Sequence, residues 1–196
     1  MAVGLGVGVV VGLANLSSEL YPKRLELLAQ VVPGLQRVAF LWDARSSASS
    51  VQELQAATQT LGVRLQVLEI RDVADYEAAF AAAGAEQADA LMVGGGLNSR
   101  NRARIVSLVA RARLPAMYPN SPFVRDGGLM AYGANPLDSD RRAATYVDKI
   151  LKGTKPADLP VEQPMTFEFV VNMKTARELG ITFPNEIMLQ VTDVIQ

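Results

Sequence analysis

Apolar and polar positions along this chain follow two periods, and the period switches repeatedly between residues 20 and 132. Leu25, Leu28, Ala29 and Val32 recur at helical spacing, and Pro33-Gly34 ends the pattern. Arg37 to Asp43 (RVAFLWD) is a continuous apolar run with polar ends, as expected of a strand buried on both faces. Ser50 and Glu53 have capping-box spacing, and Val51, Leu54, Thr58 and Leu61 then share a face up to Gly62. Val63 to Ile70 reads as a second strand, and Val73, Tyr76, Phe80 and Ala83 as the next helix. A third strand, Ala88 to Val93, leaves through Gly94-Gly95-Gly96. Ile105, Leu108, Val109 and Ala112 mark another helix, and Pro115 to Tyr118 a short fourth strand. Ser121-Pro122 starts a brief helix, and Gly127-Gly128 turns into a strand through Tyr132. Strands alternating with helices of about 10 to 15 residues predict βαβ units, a parallel sheet and right-handed crossovers. The predicted class is α/β.

The segment after Tyr132 has a strong helix signature. Asn135 suits the cap, Pro136 the first helical position, and Asp138 and Asp140 the positive end of the dipole. Ala143, Ala144, Val147, Ile150 and Leu151 form one apolar stripe. Lys149 and Lys152 fall in the last turn, and Gly153 stops it. A linker-like stretch follows, Gly153 to Pro164, with Pro156, Pro160 and Pro164. Thr166 to Asn172 reads as extended, and a short helix then ends at Gly180. At the other end, MAVGLGVGVVVGLA is apolar but shorter than the roughly 20 residues a membrane span needs. No basic residue precedes Lys23, so a buried strand is expected there rather than a secretory signal.

Composition narrows the chemistry. The chain has 196 residues, 49% hydrophobic and 20% charged, with a net charge of −1. That is enough chain for one or two domains with a sizeable core, and it carries no nucleic-acid footprint. There is no cysteine, which removes disulfides, thiolate nucleophiles and cysteine-ligated zinc. There is no histidine either, so serine-histidine catalysis is excluded. No metal site, cofactor loop or catalytic residue is expected. GGGLNSR is neither a Walker A loop nor GxGxxG, and Gly4, Gly6, Gly8 and Gly12 miss the dinucleotide spacing.

In open parallel sheets, ligands bind beyond the carboxyl ends of the strands. That rule selects Trp42-Asp43, Gly95 to Ser99 (with Leu97 and Asn98), Tyr118 to Ser121 (with Asn120), and Tyr132 to Asn135. These positions are polar, amide-rich and aromatic, as a pocket for a small polar or zwitterionic solute requires. Each has a plainer reading. Trp42 walls a cleft or packs the first helix onto the sheet. Tyr118 and Tyr132 share that choice. Asp43 receives a ligand ammonium or caps the loop before the serine-rich segment. Asn98 or Ser99 would cap the helix that follows. Arg100, Arg102 and Arg104 in its first turns oppose the dipole, which a bound carboxylate or plain solvation would offset.

The phrasing of long stretches carries more. GLANLSSELYPKRLELLAQVVPGLQRVAFLWD, RLPAMYPNSPFVRDGGLMAYGANP, AATYVDKILKG, PADLPVEQP and NMKTARELGI resemble ABC-transporter substrate-binding proteins. The subfamily is one whose members include aromatic-amino-acid binders. The resemblance covers the chain from about Gly12 onward. It implies a periplasmic-binding-protein-like type I fold of two α/β lobes, with the solute held between them. It further implies that residues 20–131 form a complete second lobe. Residues 1–19 would be an apolar lead-in and crossing strand, placing Asn15 among the ligand-binding residues. Residues 132–196 would supply the return crossing, a helix and the segment completing the base. Residues 1–11 do not read like the family, so a largely missing first lobe is expected. The implied role is solute capture without catalysis, with a permease as partner and a periplasmic or lipid-anchored location. Self-association of the shortened chain is also expected. Two other readings stay open: a ligand-sensing module of the same fold in a regulator or sensor, or an inactive fragment. A flavodoxin-like or Rossmann-like enzyme is disfavoured for want of a cofactor loop.

Overall fold

The computed structural model describes residues 20–160 and 166–196; the expectations for Asn15 and the rest of residues 1–19 lie outside them. The chain divides into two compact units. Among the described residues, one comprises 20–133 with Phe167–Gln196, the other 134–160 with Thr166.

The larger unit is a parallel-sheet α/β sandwich. Its first half runs α1 (Tyr21–Val31), β1 (Arg37–Asp43), α2 (Ser49–Leu61), β2 (Arg64–Ile70), α3 (Asp75–Ala85) and β3 (Ala90–Val93). Then come α4 (Leu97–Arg100), α5 (Arg102–Ala112), β4 (Ala116–Tyr118), α6 (Ser121–Arg125) and β5 (Met130–Ala134). The lobe closes with β6 (Phe167–Asn172), α8 (Met173–Leu179), α9 (Asn185–Met188) and β7 (Asp193–Ile195). The sheet order is β2-β1-β3-β4-β5-β6-β7. The pairs β1–β2, β1–β3, β3–β4, β4–β5 and β6–β7 are parallel. Successive connections therefore reverse direction at β1, with β2 on one side and β3 on the other.

Strand alternation sorts the core into two layers. Val38 and Phe40 of β1 join Met92, Met130, Phe169 and the α1 leucines on one face. Ala39 and Leu41 join Ile70, Val93, Ile105, Tyr118 and Phe123 on the other. Leu25, Leu28, Phe40, Leu41, Ile70 and Ile105 are all 0% exposed. Each such side chain contributes roughly 1.5–3 kcal/mol relative to exposure, so this sheet anchors the lobe.

Three local expectations are corrected. The Ser50–Glu53 capping box does not form, because α2 begins at Ser49 with Ala48 as N-cap and no side-chain cap bond. Ser50 therefore lies inside the first turn and is 7% exposed. Neither Asn98 nor Ser99 caps a helix, because α4 already begins at Leu97. The periodicity also gave no sign of α9 or β7, which are four and three residues long.

In the smaller unit, α7 (Pro136–Leu151) forms as the sequence signals. Asn135 Oδ1 accepts from Leu137 N–H at 2.9 Å and Asp138 N–H at 3.3 Å. Thr166 Oγ1 donates to Asp138 Oδ2, and the Tyr146 hydroxyl donates to Pro160 O at 2.6 Å. The anticipated stripe does not become core: Ala143, Ala144, Val147, Ile150 and Leu151 are exposed.

Candidate functional site

The reversal of strand order places a crevice between the carboxyl ends of β1 and β3. In doubly wound sheets of this order, that switch point is where ligands bind. A depression of about 340 Å3 lies there, bordered by Asp43, Arg45, Ser46, Gly96, Leu97 and Arg100.

Asp43, the last residue of β1, borders it. Its carboxylate is 4% exposed and pairs with Arg45 Nε at 3.0 Å. Oδ2 also accepts from Leu97 N–H at 2.7 Å, and Oδ1 from Arg45 N–H at 3.0 Å. Burial alone would raise its pKa. The Arg45 guanidinium and the two backbone N–H groups outweigh it and lower the carboxyl to about 2. Both oxygens are thus engaged by this chain's own groups, and Asp43 acts as the post that fixes the β3 exit loop. Gly96 is required beside it. Its φ is +70°, and a Cβ there would collide with the Asp43 carboxylate.

Asn98 is a second clasp. It is 0% exposed, donates through Nδ2 to Leu41 O at 2.9 Å and accepts from the Tyr76 hydroxyl at 3.0 Å. Ser99 is half-buried on α4. The arginines that oppose the α5 dipole are answered from within the chain. Arg102 pairs with Asp126, and Arg104 reaches Glu77 at 3.8 Å and lies over the Tyr76 ring. Arg100 differs, being exposed at the rim of the depression with no hydrogen-bond or ion-pair partner among the described residues.

A buried arginine that sequence reasoning overlooked holds the exits of β4 and β5. Arg24 is 1% exposed; its Nε donates to Tyr132 O at 2.7 Å and its Nη2 to Pro119 O at 3.3 Å. Its guanidinium also lies 5.1 Å from the Tyr21 ring centroid. Burial lowers its pKa to about 10, so it stays charged at neutral pH. The signal was available: Tyr21, Arg24 and Leu28 share one helix face at spacings of three and four. Gly133 permits the arrangement, since a Cβ there would collide with Pro119 O. Glu168 was overlooked too. It alternates with Phe167 and Phe169 on β6, and its Oε1 accepts from Ser121 N–H at 3.1 Å.

The expected residues therefore separate. Asp43 and Leu97 border the depression itself. Trp42 is half-buried and packs against the α1 layer, with Nε1 buried and unpartnered among the described residues. Asn120 and Ser121 follow β4, where Asn120 Oδ1 is likewise buried without a partner among the described residues. The Tyr132 ring stacks on Phe167 at 6.0 Å and meets Phe169 edge-on. Tyr118 points elsewhere. It is 0% exposed, stacks on Phe123 at 4.9 Å, and lines a cavity of about 80 Å3 with Leu114 and Gly128. Those residues belong to the loops entering β4 and β5, so its side chain leans away from the carboxyl edge. Asn135 caps α7 in the smaller unit. Among the described residues, no group of acidic side chains could hold a metal ion, and no helix is long and apolar enough to cross a membrane.

Comparison with known proteins identifies the class. The family model for ABC transporter substrate binding proteins matches residues 6–195, and the chain belongs to that family. No curated protein matches. A conserved domain protein of Vibrio cholerae O1 biovar El Tor strain N16961 is similar, with a TM-score of 0.84 at 23% identity. An ABC domain from Streptococcus pneumoniae, solved in complex with L-Trp, gives 0.81, also at 23% identity. Each alignment covers 94% of this chain, but only 62% and 64% of the respective relatives. A substrate binding protein with adhesive properties from Clostridium difficile, in its ligand-free open structure, gives 0.64 at 20% identity, over 89% of this chain and 59% of its own. These identities establish a shared fold, and this chain spans under two thirds of those relatives' length.

Proposed function

We propose that this chain captures a small amino-acid-like solute as the binding component of an ABC importer, outside the cytoplasm and in partnership with a permease. One observation carries the reading: the depression at the β1/β3 switch point, bordered by the Asp43–Arg45 pair and by Gly96. Open α/β sheets hold ligands at this place. The exits of β4 and β5 extend the same edge. They present the buried, unpartnered carbonyl of Asn120 and the half-buried ring of Tyr132, a hydrogen-bonding group and an apolar wall. The pneumococcal relative's L-Trp supports an aromatic amino acid within this class.

Isothermal titration calorimetry against a panel of amino acids and small carboxylic acids tests the proposal. It expects saturable binding of at least one amino-acid-like solute. A folded protein that binds none of the panel would overturn it.

A further inference from the structure

We infer that the depression at the β1/β3 switch point is an anion subsite, in which Arg100 takes the carboxylate of the solute. This rests on the solute-capture reading and names the part of the ligand the site reads.

Three charged side chains border the depression: Asp43, Arg45 and Arg100. Asp43 and Arg45 neutralise each other through two side-chain hydrogen bonds of 3.0 and 3.1 Å. Asp43 is therefore spent on Arg45 and on Leu97 N–H, and offers no charge to a ligand. Arg100 is left as uncompensated positive charge. The next two arginines along the chain have acidic partners, Asp126 and Glu77. The contrast assigns them to structure and leaves Arg100 for a ligand.

The local geometry agrees. Ser46 borders the same depression as Arg100, so a small oxyanion held at the Arg100 side of it has a hydroxyl-bearing residue in the same lining. A guanidinium suits a carboxylate because its parallel N–H groups match the two oxygens. Arg45, half exposed and held by Asp43, adds positive potential without having to move. The ligand class is a small carboxylic acid, with its anionic end at β1/β3 and its body along the edge toward β4 and β5.

The test compares matched acids and amides: 3-phenylpropionate with 3-phenylpropionamide, and L-phenylalanine with L-phenylalaninamide. Calorimetry on the wild-type protein is expected to favour each acid by about tenfold or more, as a charge-assisted hydrogen bond would. Arg100→Gln should bring that ratio close to one through loss of acid affinity, with amide affinity unchanged. Arg100→Lys should restore part of it. Arg64→Gln, at another exposed arginine at the amino end of β2, should change nothing. Acid preference that survives Arg100→Gln would overturn the inference. Equal binding of acid and amide by the wild-type protein would overturn it too, while leaving solute capture intact. Binding of neither probe series by a protein that binds another amino acid of the panel would overturn the inference and leave solute capture intact. Circular dichroism of Arg100→Gln, an exposed surface change, should match the wild type and separate loss of the site from loss of the fold.

Discussion

Replacing Asp43 by Asn tests the post on which the candidate site stands. The Asp43 carboxyl is lowered from 3.8 to about 2, and it is stabilised by Arg45 and two backbone N–H groups against the cost of its burial. At 1.36 kcal/mol per pKa unit the shift corresponds to about 2.5 kcal/mol, and screening of half-exposed Arg45 reduces this to about 2 kcal/mol. The sign follows from the direction. A carboxyl with a depressed folded pKa contributes its stability fully above the unfolded value of 3.8, and loses it as pH falls toward 2. Asp43→Asn should therefore be less stable than the wild type by about 2 kcal/mol near neutral pH. The gap should narrow from about pH 5 downward and nearly close by about pH 2. Urea denaturation followed by far-ultraviolet circular dichroism at several pH values reads both quantities. A gap that stays constant from neutral pH to about pH 3 would refute the ionic account of Asp43. No gap at neutral pH would refute its role in holding the loop.

Other substitutions probe neighbouring parts of the argument. Arg24→Met leaves Tyr132 O and Pro119 O without a buried donor, and should cost about 2–4 kcal/mol in urea denaturation; wild-type stability would show that the arginine does not tie the strand exits. Gly133→Ala drives a Cβ into Pro119 O and should destabilise by about 3 kcal/mol, whereas an unchanged melting temperature would deny the close approach. Asn135→Ala removes the cap of α7 and should cost about 1 kcal/mol, read as faster amide exchange at Leu137 and Asp138; unchanged exchange would deny the cap.

Much of the lobe was legible because burial on both faces of a parallel strand leaves an unbroken apolar run. Arg37–Asp43 was read from that run and is β1 with the same bounds. Asn135 was legible as a cap because the signal is local: one amide, a proline and an acidic first turn. Strand order was not, since nothing local says that β3 crosses to the far side of β1. The hydrogen-bond partners of the candidate residues were not legible. Period-two alternation gives the face a strand residue occupies, not the direction its side chain leans, so Tyr118 looked like a rim residue although its ring lies toward the β5 entrance. For Asp43 the sequence left a ligand ammonium and a loop cap both open, and its tie to Leu97, 54 positions away, was not legible. Arg24 was passed over because arginine is seldom fully buried, and only its helix face gave it away. The α7 stripe shows the converse: helical periodicity marks an apolar face, while burial also requires a partner element.

The central claim is that solute binds at the carboxyl edge of the sheet. Amide hydrogen exchange of the whole chain, with and without saturating L-amino acid identified by calorimetry, locates that binding directly. The account predicts slowed exchange at residues 43–46, 95–100, 119–121 and 132–134. Slowing confined to the opposite edge, around the cavity bordered by Leu114, Gly128 and Thr175, would contradict it.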